Sequence, residues 1–271
     1  MSMDAIPIWA LLLATILLVM IAVEGGYRLG RRAQRRANKE KVPPVSSIVA
    51  SALGLLAFML VFTFGIVSSR YDTRKSLVRD EANVIRTVWM RSDFLPEPDR
   101  GESAALIRAY VDDRLAAVES LDLDVVRKAL TESINIQHRL WDIAVANGRR
   151  DMNSPVAALY VTSLNQMIDL QALRVVIGLD ARVPLGIWMA LYALIVLGMI
   201  GVGYQTVIAE ATGRSLAPLV LALSFSVVIA LIAALDRPLS GFMTVSQQPL
   251  KSARSWIDSG AKTGVGPADK P

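Results

Sequence analysis

Four stretches of this chain contain no Asp, Glu, Lys or Arg, and they constrain the fold more than any other feature. Between Asp4 and Glu24 lie 19 such residues, between Lys41 and Arg70 28, between Arg182 and Glu210 27, and between Arg214 and Asp236 21. A helix rises about 1.5 Å per residue, so roughly 20 residues cross a hydrocarbon core of about 30 Å. Each stretch is rich in Leu, Ile, Val, Ala and Phe and has no polar face, unlike a helix buried in a soluble core. They predict four transmembrane helices near 6–24, 46–69, 185–207 and 216–235. The mean hydropathy of +0.43 and the 20% of charged residues over 271 positions reflect these stretches. The first stretch has Asp4 where a secretory leader carries basic residues, and no small-x-small cleavage site follows it. It reads as a retained anchor.

The charges that remain are sorted. Arg28, Arg31, Arg32, Arg35, Arg36, Lys39 and Lys41 stand against Glu40 in the short loop 28–45 between the first two spans. A basic run between two membrane segments, with no interleaved aromatics to stack bases, reads as a positive-inside anchor touching anionic lipid and not as a nucleic-acid surface. If that loop is cytoplasmic, segment 70–182 and the tail face outward. Arg70, Arg74, Lys75 and Arg79, just past the second span, pull the other way, but long segments count for less in this rule.

Segment 70–182 is the one part able to build an aqueous domain, and it reads as helical throughout. Residues 70–89 lack Pro and Gly and continue the second span. Pro96-Glu97-Pro98 breaks the chain. A helix from Ser103 carries Leu106, Tyr110, Val111, Leu115 and Val118; the next carries Val126, Leu130, Ile134, Trp141 and Val145 and stops near Asn147-Gly148. A third starts at Ser154-Pro155 and holds Leu159, Tyr160, Leu164, Met167 and Val175. The expected organisation is therefore 1–69 with spans one and two, a helical aqueous domain over 70–182, 183–236 with spans three and four, and a tail 237–271. The tail reads as disordered from Lys251, above all at its end. The fold class is an all-α membrane protein.

Catalytic chemistry finds little support. There is no cysteine, which excludes disulfides, iron–sulfur clusters and thiolate metal sites, and the one histidine, His138, reads as a surface or packing residue. Adjacent Asp112 and Asp113 diverge by about 100° on a helix and form no natural clamp. No catalytic residue, metal or cofactor is expected. The charges at membrane boundaries carry more information. Glu24, Glu210, Asp236 and Arg237 sit at span ends, as interfacial anchors, facing one another or lining a permeation path. Arg174 falls on an apolar stripe with Met167 and Leu170; either it pairs with an acid such as Asp169 or one on another helix, or it snorkels to lipid. In the second span Leu55, Phe58, Phe62 and Ile66 share a face, near Thr63 and Ser69. That stripe suits helix packing, or a hydrophobic constriction around a pore in an oligomer. Ala50 and Gly54 form a small-xxx-small pair, a hint of close helix contact.

Four segments together carry a resemblance: Phe62 through Thr87, with Ser69-Arg70-Tyr71-Asp72-Thr73-Arg74 at its centre; Leu95-Pro96-Glu97-Pro98; Leu164-Asn165-Gln166-Met167-Ile168-Asp169 with Arg174; and Asp236-Arg237-Pro238-Leu239-Ser240-Gly241 running on to Pro249. Over about 46–250 the chain resembles the bacterial bestrophin-like membrane-domain family, whose name points to bestrophins. The resemblance implies a pentameric, chloride-permeable channel with four membrane helices, a helical aqueous region on the cytoplasmic side and a neck lined by the second membrane helix. Phe58, Phe62 and Ile66 are the counterparts of that neck by position. The cytoplasmic placement conflicts with the charge distribution, so the side of 70–182 stays open. Arg70, Asp72, Arg74, Glu81 and Asn83 are expected to hold the vestibule helix by ion pairs and amide hydrogen bonds, and Asp236 with Arg237 to pin the last span. The expected protein is a multi-pass protein of the bacterial inner membrane, a homo-oligomer in a lipid bilayer passing anions. A non-conducting scaffold or sensor binding a partner protein is the alternative.

Overall fold

The computed structural model describes residues 7–36, 45–120, 123–180, 182–208, 217–237 and 244–262. Among them lie α1 (Ile8–Arg36), α2 (Ser46–Ser92), α3 (Asp99–Glu119), α4 (Leu123–Arg150), α5 (Pro155–Val175), α6 (Leu185–Ile208), α7 (Ala217–Asp236) and α8 (Gln248–Lys262), and no strand. Helices α1, α2, α6 and α7 are long and apolar enough to cross a membrane. Lys39, Glu40, Lys41, Glu210, residues 238–243 of the last motif and the tail end beyond 262 lie outside the described residues.

The chain divides into two units. The first combines residues up to Tyr71 with Arg182–Met243; the second combines Asp72–Ala181 with the segment from Thr244. Helix α2 contributes to both, since nothing between Ser46 and Ser92 interrupts it.

In the first unit α1 packs along α6 and α7. The approach is closest at Gly26 and Gly203. A Cβ on Gly26 would lie 2.0 Å from the Ile200 carbonyl oxygen, and one on Gly203 2.0 Å from the Val23 carbonyl oxygen. Two helix backbones touch there, a contact open only to glycine and suited to lipid, where helix association rests on van der Waals packing. Leu11, Val19, Leu56, Leu60, Leu191, Ile195, Met199 and Ile229 fill the interior. The Ala50–Gly54 pair is not a close contact within this chain: both residues are exposed, and nothing lies within 4 Å of a Cβ built on Gly54. Helix α2 meets α6 through Val49 and Leu53, which pack on Gly201 and Gly198. The expected loop at 28–45 begins instead as helix to Arg36, because Arg, Ala and Gln favour helix and Gly30 is held close to the Tyr204 carbonyl.

The second unit is a helical bundle around Ile85, Val88, Ile107, Tyr110, Val111, Leu140, Leu164 and Met167. Its α5 starts as the sequence suggests: Ser154 Oγ accepts from the Ala157 N–H at 3.2 Å, and Pro155 takes the first helical position. Three expectations change. Helix α4 passes through Asn147-Gly148 to Arg150, because the Asn147 amide donates to the Ile143 carbonyl and to Asp99 Oδ2, and so stays in the helix. The buried stripe of α4 is Val126, Ala129, Ser133, Ile136, Gln137, Leu140 and Ile143, one position off the stripe through Leu130 and Ile134; Ile134 is 47% exposed. The tail from Lys251 is not disordered up to Lys262 but forms α8, whose Leu250, Ala253 and Ile257 are fully buried. Their i, i+3, i+7 spacing makes an amphipathic face despite the Ser- and Ala-rich composition.

Candidate functional site

Two arrangements stand out, one in each unit. The first is the outer face of the α2 span. Leu56, Leu60, Thr63 and Val67 point into the first unit, and the Thr63 hydroxyl donates to the Met59 carbonyl at 2.8 Å, so it is satisfied inside its own helix. Leu55, Phe58 and Phe62 point away from it; Phe58 is 65% and Phe62 57% exposed, and Ile66 is half-buried. The two phenyl rings stack with centroids 6.5 Å apart and planes 18° from parallel, which fixes them as one apolar surface. Thr63, which neighbours the stripe in sequence, therefore points the other way, while Leu55, Phe58 and Phe62 stay together on the exposed face with Ile66 half-buried beside them.

The second is a buried charge cluster. Glu81 on α2 has no exposed surface. Its Oε1 accepts from the Tyr110 hydroxyl at 2.8 Å and from Arg114 Nε at 3.0 Å, both on α3, and its Oε2 accepts from Arg174 Nη1 on α5. Arg174 Nη2 also donates to Gln247 Oε1 at 3.4 Å, and Gln137 on α4 donates to Gln171 on α5 beside them. Burial pushes the Tyr110 phenol up to about 12, so it stays protonated and donates. Burial lowers the Arg174 guanidinium to about 10, which leaves it charged at neutral pH. One carboxylate thus faces two buried guanidiniums. Such a group is costly to leave incomplete, because loss of the carboxylate strands positive charge in a low dielectric.

Of the residues singled out in the sequence, Glu81 and Arg174 come together here: the partner of Arg174 is an acid on another helix, not Asp169, and the side chain does not snorkel to lipid. Asp72 and Asn83 are exposed and take no part. Arg74 is buried and has an interaction partner. In the first unit Asp236 is nearly buried; its Oδ1 accepts from the Val183 N–H at 3.0 Å and lies 3.9 Å from Arg70 Nη1, while Arg182 donates to its backbone carbonyl at 2.8 Å. Arg237 is buried as well. Arg70 therefore works with Asp236 at the end of α7. Glu24 forms an exposed pair with Arg28, and His138 is a surface residue.

Tyr110 stood in the sequence only as part of an apolar stripe, and Arg114, Gln137, Gln171, Arg182 and Gln247 were not singled out. The signal for three of them was present: Arg114 falls four residues after Tyr110, Gln137 three before Leu140 and Gln171 four after Met167, each on a buried face. A polar residue on an apolar stripe needs a partner.

The sequence pattern described as the Bestrophin-like domain matches residues 8–250. No curated protein matches the chain. Among solved structures, a variant of a bacterial Bestrophin homolog from Klebsiella pneumoniae has a TM-score of 0.65 at 14% identity, covering 95% of this chain and 99% of that one. Another variant of a Klebsiella pneumoniae homolog reaches 0.67 at 11% identity, covering 93% and 98%. A structure described as a membrane protein gives 0.65 at 14% identity over 95% and 98%. At these identities the likeness is one of fold.

Proposed function

Since this chain belongs to the bestrophin-like family of membrane proteins, we propose that it works as a homo-oligomeric, passive anion channel of the bacterial inner membrane, with α2 supplying the constriction. The observation that carries this reading is the Phe58–Phe62 surface. It lies on a membrane span, faces away from its own unit and is held by ring stacking. Copies of the chain around an axis would turn such faces into a ring. A narrow apolar ring gates by excluding water, with no need for an ion-binding group. Ile66 continues that face one turn further along the helix. The charge cluster around Glu81 is assigned a structural task, fixing α2, α3 and α5 in register.

The alternative, a non-conducting scaffold, draws on apolar side chains left exposed on the second unit, Met90, Phe94 and Met152 among them. Chloride efflux from liposomes separates the two. Wild-type protein is expected to release chloride faster than empty vesicles, and Phe62→Ala, with a wider and less apolar ring, faster still. Background release from both, with protein incorporation verified, points to the scaffold. Light scattering in detergent adds a second constraint: a monomer removes the central pore.

A further inference from the structure

We propose that α1 carries a binding site for an anionic phospholipid, with the phosphate held by Arg28 and Arg32 and an acyl chain lying over Met20, Ile21 and Gly25. The site does not depend on whether the protein conducts ions.

Helix α1 has two faces. Val19, Ala22, Gly26 and Gly30 are buried on one. Ile21, Arg28, Arg32 and Arg35 are exposed on the other, at intervals of seven, four and three residues that keep them on a single helical stripe. The same face that offers apolar side chains along the span offers guanidiniums beyond it. The changeover falls at the right depth. From Ile8 to Arg28 the helix rises about 30 Å, the thickness of the hydrocarbon core, and Arg32 lies about 6 Å further, within the headgroup layer.

At the changeover there is an open notch of about 450 Å³ lined by Met20, Ile21, Glu24, Gly25 and Arg28. Its lower part is apolar and its upper part charged, in the order of a phospholipid. Gly25 makes the recess: nothing lies within 4 Å of where its Cβ would be. Arg28 Nε is held by Glu24 Oε1 at 2.8 Å, which orients the side chain and leaves its Nη donors for a ligand. Arg31 lies over the Tyr27 ring, 5.7 Å from its centroid. Against one carboxylate, Glu24, the stripe presents Arg28, Arg32 and Arg35. That excess selects an anionic headgroup over a zwitterionic one, and the planar guanidinium fork suits phosphate oxygens.

The test is thermal unfolding of the purified full-length protein in detergent, followed by tryptophan fluorescence, with one lipid added at a time. Phosphatidylglycerol is expected to raise Tm by several degrees; phosphatidylcholine, glycerol phosphate and inorganic phosphate are expected to leave it unchanged. The R28Q/R32Q double variant should lose at least half of the phosphatidylglycerol shift, with its lipid-free Tm close to wild type because both side chains are exposed. Gly25→Leu keeps every charge but fills the notch, and should also reduce the shift. Equal shifts from phosphatidylcholine, or an undiminished shift in R28Q/R32Q, would overturn the site. A full shift with glycerol phosphate would reassign it to a free phosphate, and an undiminished shift in Gly25→Leu would reduce it to unspecific surface charge; either result overturns the proposal.

Discussion

The two units solve the same problem, fixing helices against one another, with different chemistry. In the first unit the tightest contact is backbone on backbone, Gly26 and Gly203 against the carbonyls of the facing helix. In the second, an apolar core surrounds one carboxylate shared by Arg114, Arg174 and Tyr110. The difference follows from the solvent. Lipid tails are as apolar as leucine, so burying leucine from lipid gains little and close packing must supply specificity. In water the hydrophobic core supplies the stability, and a buried ionic group restricts which arrangement of helices is tolerated.

This contrast breaks most directly at Glu81. Glu81→Ala should destabilise the second unit by roughly 3–5 kcal/mol, the usual cost of stranding a buried ionic partner, read as an early unfolding step by scanning fluorimetry. Glu81→Gln keeps the shape and an acceptor for Tyr110, so a milder effect would separate charge from hydrogen bonding. The counterpart in the first unit is Gly203→Ala. It should cost about 1–3 kcal/mol or more through overpacking, seen as reduced yield of monodisperse protein, whereas Gly54→Ala, which meets no atom, should be silent. If Gly203→Ala is also silent, the backbone contact does not organise the first unit.

Smaller changes sharpen the picture. Gln171→Ala removes the acceptor of the buried Gln137 amide N–H and should cost about 1–3 kcal/mol. Asp113 is raised above its ordinary value of 3.8 by burial and by the neighbouring charges of Glu132 and Asp112. A carboxyl raised in the folded state contributes stability that is complete below the ordinary value and lost as pH rises through the folded one. Asp113→Asn should therefore raise Tm slightly at pH 7 and leave it unchanged near pH 3. A rise of equal size at both would assign the effect to packing.

The spans were legible because absence of charge is a one-dimensional signal: any 20 uncharged residues in a row declare themselves. The cluster was legible only in halves. Glu81 and Arg174 each stood out, but their pairing joins residues 93 positions apart, which spacing cannot reveal. Arg114, Gln137 and Gln171 were hidden because a polar residue draws no notice in an apolar periodicity, although the buried stripe of each helix runs through it. Helix α8 was hidden by composition: Ser, Gly and Ala suggested a linker, while Leu250, Ala253 and Ile257 kept a helical spacing. The α4 stripe slipped by one because a 3.6-residue period leaves two neighbouring stripes nearly equivalent when both carry aliphatic residues.

The absence of cysteine from the sequence allows the α2 face to be probed at a single atom. Phe62→Cys places the one thiol of the protein on the proposed ring, and Leu197→Cys places it on an exposed face of α6. Chloride efflux is then measured before and after a charged, water-soluble thiol reagent. The reagent is expected to change efflux through the Phe62→Cys protein severalfold and to leave the Leu197→Cys protein as it was. Equal responses, or none at Phe62→Cys despite labelling confirmed by mass, would contradict a pore lined by α2.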